Sequence, residues 1–216
     1  MNLSSLSFKN QAEKYINQLN SVFNEENIAL IETLGKELLK AWENNQNVYI
    51  CGNGGSGANA IHMANDFIYG IGACGEGQKI PGLKVEALTA NTGVLTCLAN
   101  DNGYENVFSY QLKVKGSKND LLIALSGSGN SQNIVNALYA AKDIGMKSFA
   151  IIAYSGGKCL ELADIPIHIK IDDMQIAEDT QLIIGHICMQ WLTQNKPSKI
   201  IKSNPVKKYE YPNLKY

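Results

Sequence analysis

The sequence predicts an α/β fold, a parallel β-sheet with helices on both faces, preceded by an N-terminal helical hairpin. Three observations carry this. Short apolar runs alternate with longer segments of helical periodicity. Two of the runs, Asp120–Leu125 (DLLIAL) and Lys147–Ala153 (KSFAIIA), are near-continuously apolar, as strands buried on both faces must be. Two of the strand ends run directly into glycine- and serine-rich turns.

The elements follow in order. Phe8, Ala12, Tyr15, Ile16 and Leu19 recur at helical spacing, and after Asn24 so do Ile28, Leu30, Ile31, Leu34, Leu38, Leu39 and Trp42. These stripes are wide for a free-standing hairpin, so they should pack on the main domain or on another subunit. Asn47–Cys51 (NVYIC) and Val85–Leu88 read as short strands, and Ile165–Ile171 alternates as IPIHIKI. Helical segments are expected near 57–70, 92–113 with a break at Gly103, 131–144 and 174–193. The expected organisation is one domain over 1–195 and an irregular tail over 196–216, which mixes lysines, tyrosines and prolines.

Composition narrows the function. The 216 residues are 45% hydrophobic and 18% charged, with a net charge of −1. No global field draws the chain to nucleic acid or to an anionic membrane, and the basic tail is too small for a nucleic-acid footprint. There is no run of 18 apolar residues, and the opening MNLSSLSFKNQAEKY lacks a basic stretch followed by an apolar one. A cytoplasmic location is therefore expected. The five cysteines are widely spaced with no C-x-x-C pair, which fits free thiols in a reducing compartment.

Two turns stand where ligands bind in open parallel sheets, beyond the carboxyl ends of strands. Gly52-Asn53-Gly54-Gly55-Ser56 follows NVYIC, and its glycines let backbone N–H groups approach a ligand. Ser126-Gly127-Ser128-Gly129-Asn130-Ser131 follows DLLIAL and offers three hydroxyls. Neither turn holds a lysine or arginine. Such turns also occur as plain caps, but two at successive strand ends suit a phosphomonoester held by neutral donors. Neither matches the nucleotide-binding G-K-[ST] or G-x-G-x-x-G patterns.

The segments CGNGGSGANAIHMANDF, ANDNGYENVF, LIALSGSGNSQNIVNAL and AEDTQLIIGHICMQWL resemble the sugar isomerase (SIS) domain family, and within it the phosphoheptose isomerase branch. The resemblance covers about residues 8–195. It implies a five-stranded flavodoxin-like sheet, a homotetramer, and active sites built from more than one subunit. The implied reaction converts sedoheptulose 7-phosphate to D-glycero-D-manno-heptose 7-phosphate for surface-polysaccharide heptose synthesis, and several members hold zinc. Carried over residue by residue, phosphate binding falls on Ser126, Gly127, Ser128 and Ser131, with Gly127 where threonine is common. Further substrate contacts fall on Asn53, Gly54, Gly55, Ser56, Asn100 and Asp101. Metal ligands fall on His62, Asp66, Glu178 and His186, and the catalytic pair on Asp66 and His186. Asp66 stands where the family has glutamate, and Glu178 where it has glutamine.

These residue types suit the chemistry. Moving a carbonyl between C2 and C1 needs a base at carbon and an acid between the oxygens, for which a carboxylate and an imidazole serve. His62 and Asp66, four apart on a helix, share a face. Glu178 and His186 are eight apart, about 80° around an ideal helix. All four are acceptable zinc ligands. Asp66 is shorter than glutamate by about 1.5 Å, one C–C bond, and misplacements of about 1 Å can cost about 100-fold in rate. The plain alternatives are a surface pair for His62 and Asp66, a core histidine for His186, and caps for Asp172 and Asp173 at the last helix. His168, inside the alternating strand, reads as structural. Three functions stay open: this isomerase, a non-catalytic sugar-phosphate or protein-binding adaptor of the same fold, and an isomerase of another sugar phosphate.

Overall fold

Burial decides where each strand lies. In a computed structural model describing residues 7–198, β3 (Leu121–Ser126) is buried at all six positions and occupies the centre of the sheet. β1 (Asn47–Gly52) and β4 (Lys147–Ile152) flank it, each with one half-buried end. The shorter and less apolar β2 (Lys84–Ala87) and β5 (Ile165–His168) form the edges. The order is β2-β1-β3-β4-β5, with every pair parallel. This is the flavodoxin-like arrangement.

Alternation along the strands divides the core into two layers. Val48, Ile50, Leu121, Ile123, Leu125, Phe149 and Ile151 pack against α2 (Glu25–Glu43), α3 (Gly54–Asn65) and α9 (Met174–Gln194). Tyr49, Cys51, Leu122, Ala124, Ala150 and Ile152 face the other way, against α6 (Ser109–Lys115), α7 (Gln132–Ile144) and α8 (Cys159–Leu162).

The two helices of the hairpin have unequal roles. α2 buries Ile31, Leu34, Leu38 and Trp42, and the Trp42 indole N–H donates to the Pro81 carbonyl at 2.9 Å. α1 (Phe8–Ser21) has no buried residue. Phe8 is 90% and Ile16 61% exposed, and the Tyr15 hydroxyl reaches across to Asp179 on α9 at 2.6 Å.

Boundaries differ from expectation where local geometry intervenes. The first loop helix begins three residues early, at Gly54, whose φ of +54° a side chain would strain. The helix expected to reach residue 70 changes at Asp66 into a π turn, Asp66–Gly70, followed by the short α4 (Ile71–Ala73). The 92–113 segment breaks at Gly103, giving α5 (Thr92–Asn102), a 3₁₀ turn at Tyr104–Asn106 and then α6. β5 stops at His168 rather than Ile171, because the Ile171 N–H turns back onto the Ile169 carbonyl at 2.8 Å. Asp173 caps α9 by accepting from the N–H groups of Gln175 and Ile176. Residues 199–216 of the expected tail lie outside the described residues. No helix among the described residues is long and apolar enough to cross a membrane.

Candidate active site

The strand order brings the two glycine- and serine-rich loops together. β1 lies beside β3, and their outgoing connections diverge, β1 leading to β2 on one side and β3 to β4 on the other. Such a switch point opens a crevice at the carboxyl ends of the strands. A cavity of ≈ 240 Å³ sits there. Its walls are Asn53, Gly54, Gly55 and Ser56 from the first loop, Leu125, Ser126, Gly127, Ser128 and Ser131 from the second, and Met174 and Glu178 from α9.

The second loop is pre-shaped by its own serines. The Ser126 hydroxyl oxygen accepts from Gly129 N–H at 3.1 Å and that of Ser128 from Asn130 N–H at 3.2 Å. Both hydroxyls act as acceptors within the loop, so their hydrogens are available to a ligand. Ser131 occupies the N-cap position of α7 without a side-chain cap bond. Gly129, at φ +64°, passes so close to the Gly156 carbonyl that a Cβ would collide with it.

A network that the sequence reading did not identify locks the two loops together. Asn53 and Asn133 exchange amide hydrogen bonds at 2.9 and 2.8 Å, and the Tyr104 hydroxyl donates to Asn53 Oδ1 at 2.9 Å. Asn133 is buried. The signal available in the sequence was weak: Tyr104 lay within the ANDNGYENVF segment, and Asn133 was one asparagine in a polar helix start.

α3 and α9 run side by side in the same direction. Asn59 donates to the Glu178 carbonyl and to Gln181 Oε1, at 2.8 and 3.3 Å. Gly185 admits Met63, whose Cγ would lie 2.7 Å from a Cβ there. This close approach joins His62, Asp66 and His186. The two Nε2 atoms are 3.0 Å apart, and Asp66 Oδ2 is 3.5 Å from that of His62 and 3.6 Å from that of His186. The aspartate thus reaches both imidazoles despite its short side chain, from the start of the π turn. Such turns frequently mark functional sites.

The three facing atoms can hold a metal. Tetrahedral zinc with bonds of about 2.0–2.1 Å has ligand atoms about 3.3 Å apart, close to the triangle of 3.0, 3.5 and 3.6 Å. Glu178, expected as a fourth ligand, is not a member of this cluster among the described residues. Eight residues put it about 12 Å along the helix axis from His186, besides the 80° turn. Its carboxylate instead covers Gly55, where a Cβ would collide with it.

Asn100 and Asp101 are not brought to the cavity lining. They lie on α5, which has no buried residue, and the Asn100 amide donates to Asp101 Oδ1 at 2.6 Å. His168 bonds the Tyr154 carbonyl at 2.8 Å through Nε2, in keeping with a structural role. A wider cavity of ≈ 620 Å³ lies at the amino ends of the strands, with Glu37, Lys40, Lys147 and Asp164 on its walls. Its charges are committed: Glu37 pairs with Lys147 and Lys40, and Asp164 binds Ser148. Volume favours that cavity, whereas convergent uncommitted donors favour the smaller one.

Comparison with known proteins gives the family. Residues 12–153 match the SIS domain family model. A phosphoheptose isomerase of Sulfurimonas denitrificans is 35% identical over 182 residues, covering 83% of this chain and 90% of the relative. The chain belongs to the SIS-domain family, in its phosphoheptose isomerase branch. One from Helicobacter pylori strain HPAG1 is 37% identical over 182 residues, 84% of this chain and 88% of the relative. The solved phosphoheptose isomerase of Neisseria gonorrhoeae superposes with a TM-score of 0.77 at 25% identity, over 86% of this chain and 96% of that one.

A Cβ on Gly127 would lie 2.5 Å from Met174 Sδ, near the end of a flexible side chain that would have to shift to admit it. The five cysteines are free. Burial pushes the Cys159 thiol up to about 11 and that of Cys188 to about 12, and Cys51 is raised as well, so these three stay protonated and inert near neutrality.

Proposed function

We propose that the chain is a cytoplasmic ketose–aldose isomerase of a phosphorylated sugar, converting sedoheptulose 7-phosphate to D-glycero-D-manno-heptose 7-phosphate for surface-polysaccharide heptose synthesis. The observation that carries this reading is the pairing of a donor-rich cradle at the start of α3 with a carboxylate–imidazole cluster at its end, to which α9 adds His186. Gly55, His62 and Asp66 are 7 and 11 residues apart, within about 20° of a single line along α3. The phosphate sits on Ser126, Gly127, Ser128 and Ser131, with Asn53, Gly54, Gly55 and Ser56 opposite. The sugar chain extends along α3 towards Asp66 and His186.

Asp66 takes a proton from C1 of the ketose and returns it to C2. His186 moves the proton from O1 to O2, so an enediol forms and collapses to the aldose. Each such proton transfer contributes about 10²–10⁴-fold. His62, Asp66 and His186 would hold a zinc ion, and zinc there would polarise the reacting oxygens.

We also propose a homotetramer. α1 and α5 have no buried residue, and Ile61, Ile68, Tyr69 and Ile187 stand exposed around the cluster. Contiguous apolar surface of this kind marks an interface. In the tetramer α5 would bring Asn100 and Asp101 to the site of a second copy.

Incubation of the purified protein with sedoheptulose 7-phosphate, followed by NMR, tests the reaction. The aldose should accumulate, and retained ligand binding without turnover would favour a binding protein. Zinc analysis of the protein and of His62→Ala tests the metal site, since unchanged zinc in the variant would remove His62 from it. Light scattering tests the assembly, and a monomer would overturn it.

A further inference from the structure

Asn53 occupies the N-cap position of α3, yet its side chain makes no cap bond there. An asparagine at this position ordinarily accepts from the N–H of the second or third helical residue, here Gly55 and Ser56. Its Oδ1 is instead taken by two donors from elsewhere in the fold, Asn133 Nδ2 at 2.8 Å and the Tyr104 hydroxyl at 2.9 Å. Asn133 settles which way round the amide lies. The Ile134 N–H can only donate, and it bonds Asn133 Oδ1 at 3.0 Å, so Asn133 Nδ2 is the atom that faces Asn53 Oδ1. Tyr104 holds the same oxygen from a different element. Gly103, at φ +88°, turns the chain out of α5 into the 3₁₀ turn that carries Tyr104. Asn136 anchors that turn by donating to the Glu105 carbonyl at 2.9 Å. The ring is 57% exposed, and one neutral bond at the surface adds only modestly to folding.

We propose that Tyr104 is a positioning residue, which holds Asn53 away from α3 so that the helix start stays open to the oxygen atoms of the substrate. This deepens the sugar-phosphate reading above and rests on it. Asn53, Gly54, Gly55 and Ser56 all line the cavity. With Oδ1 engaged elsewhere, the N–H groups of Gly55 and Ser56 carry no side-chain cap, and such helix N-termini attract oxyanions. Asn53 Nδ2 gives one hydrogen to Asn133 Oδ1, and its second is left for a ligand oxygen. Without the phenol hydroxyl, Oδ1 loses one of its two donors and can swing back to cap α3. It would then occupy the same N–H groups as an internal competitor of the substrate. The lost bond and the gained cap are of similar size, so the fold changes little while the ligand is disfavoured.

The test is a double-mutant cycle on the full-length protein with its metal, using Tyr104→Phe, Asn53→Ala and the pair, with sedoheptulose 7-phosphate as ligand. Tyr104→Phe should weaken binding and raise KM by about three- to tenfold, the worth of one neutral hydrogen bond, with kcat and the thermal unfolding midpoint nearly unchanged. With Asn53→Ala in place there is no side chain to swing, and Tyr104→Phe should then change affinity by less than about twofold. An equal effect of Tyr104→Phe in both backgrounds overturns the proposal, because the hydroxyl would then act without Asn53. Unchanged affinity in Tyr104→Phe overturns it too, as does a fall in kcat and unfolding midpoint with KM unmoved. Should Asn53→Ala fail to fold, Asn53→Gly removes the same side chain and takes its place in the cycle. Failure of the wild type to bind the ligand would overturn the sugar-phosphate reading and this inference together.

Discussion

The loop half of the site and the helix half are built on different principles. The loops at 52–56 and 126–131 are short, continuous and shaped by their own backbone. Their serines are fixed within the loop, and Asn53, Asn133 and Tyr104 tie one loop to the other. The helix half is assembled from side chains 124 residues apart in sequence, His62 and His186, and these are 49% and 45% exposed. On the proposed reading, binding is written into local backbone, whereas chemistry depends on the packing of α3 against α9. The two halves should fail independently.

The largest effect should come from the helix half. Asp66→Ala should lower kcat by about 10²–10⁴-fold, the usual contribution of a general acid–base group, with sugar-phosphate affinity nearly unchanged. An equal loss of affinity would mean that the halves are not separate. Next, the double change Ser126→Ala and Ser128→Ala should raise KM by about 100-fold or more, since bonds to a charged group are worth about 1.5–3 kcal/mol each. Steady-state kinetics should show kcat much less affected.

Gly185→Ala sharpens the contrast through packing. Its methyl group would press on Met63 Cγ, and overpacking of this kind costs about 1–3 kcal/mol. Thermal unfolding should register the loss. The same variant should lower kcat more than it raises KM, because the pressure falls between the histidines and not on the loops.

The smallest effect concerns α1. Partial burial and the hydrogen bond to Asp179 push the Tyr15 phenol from 10.0 up to about 12. The folded chain prefers the neutral phenol, so its contribution is whole below pH 10 and is lost as pH rises through about 12. Tyr15→Phe should cost less than about 1 kcal/mol, given the exposure of the pair. The difference from wild type in unfolding midpoint should shrink between pH 10 and 12.

What the sequence made legible follows the same division. Apolar runs and the residues right after them are local, so the five strands, the sheet class and both loops could be read in advance. The hairpin was also legible, although only α2 buries its stripe within the chain. Long-range placement was not legible. Glu178 could not be assigned to a cluster without knowing which turn of α9 meets which turn of α3. The reciprocal bond between Asn53 and Asn133 spans 80 residues. Met174 filling the space above Gly127 is likewise a contact between distant segments, and no periodicity announces it.

The central claim is that Asp66 and His186 move protons between carbon and oxygen on a sugar held by the two loops. Turning over sedoheptulose 7-phosphate in deuterium oxide tests this most directly. A proton held on the Asp66 carboxylate between its removal from C1 and its return to C2 should exchange with solvent, and NMR should show aldose product carrying deuterium at C2. Absence of the aldose, or aldose formed with no deuterium at C2, would contradict the account.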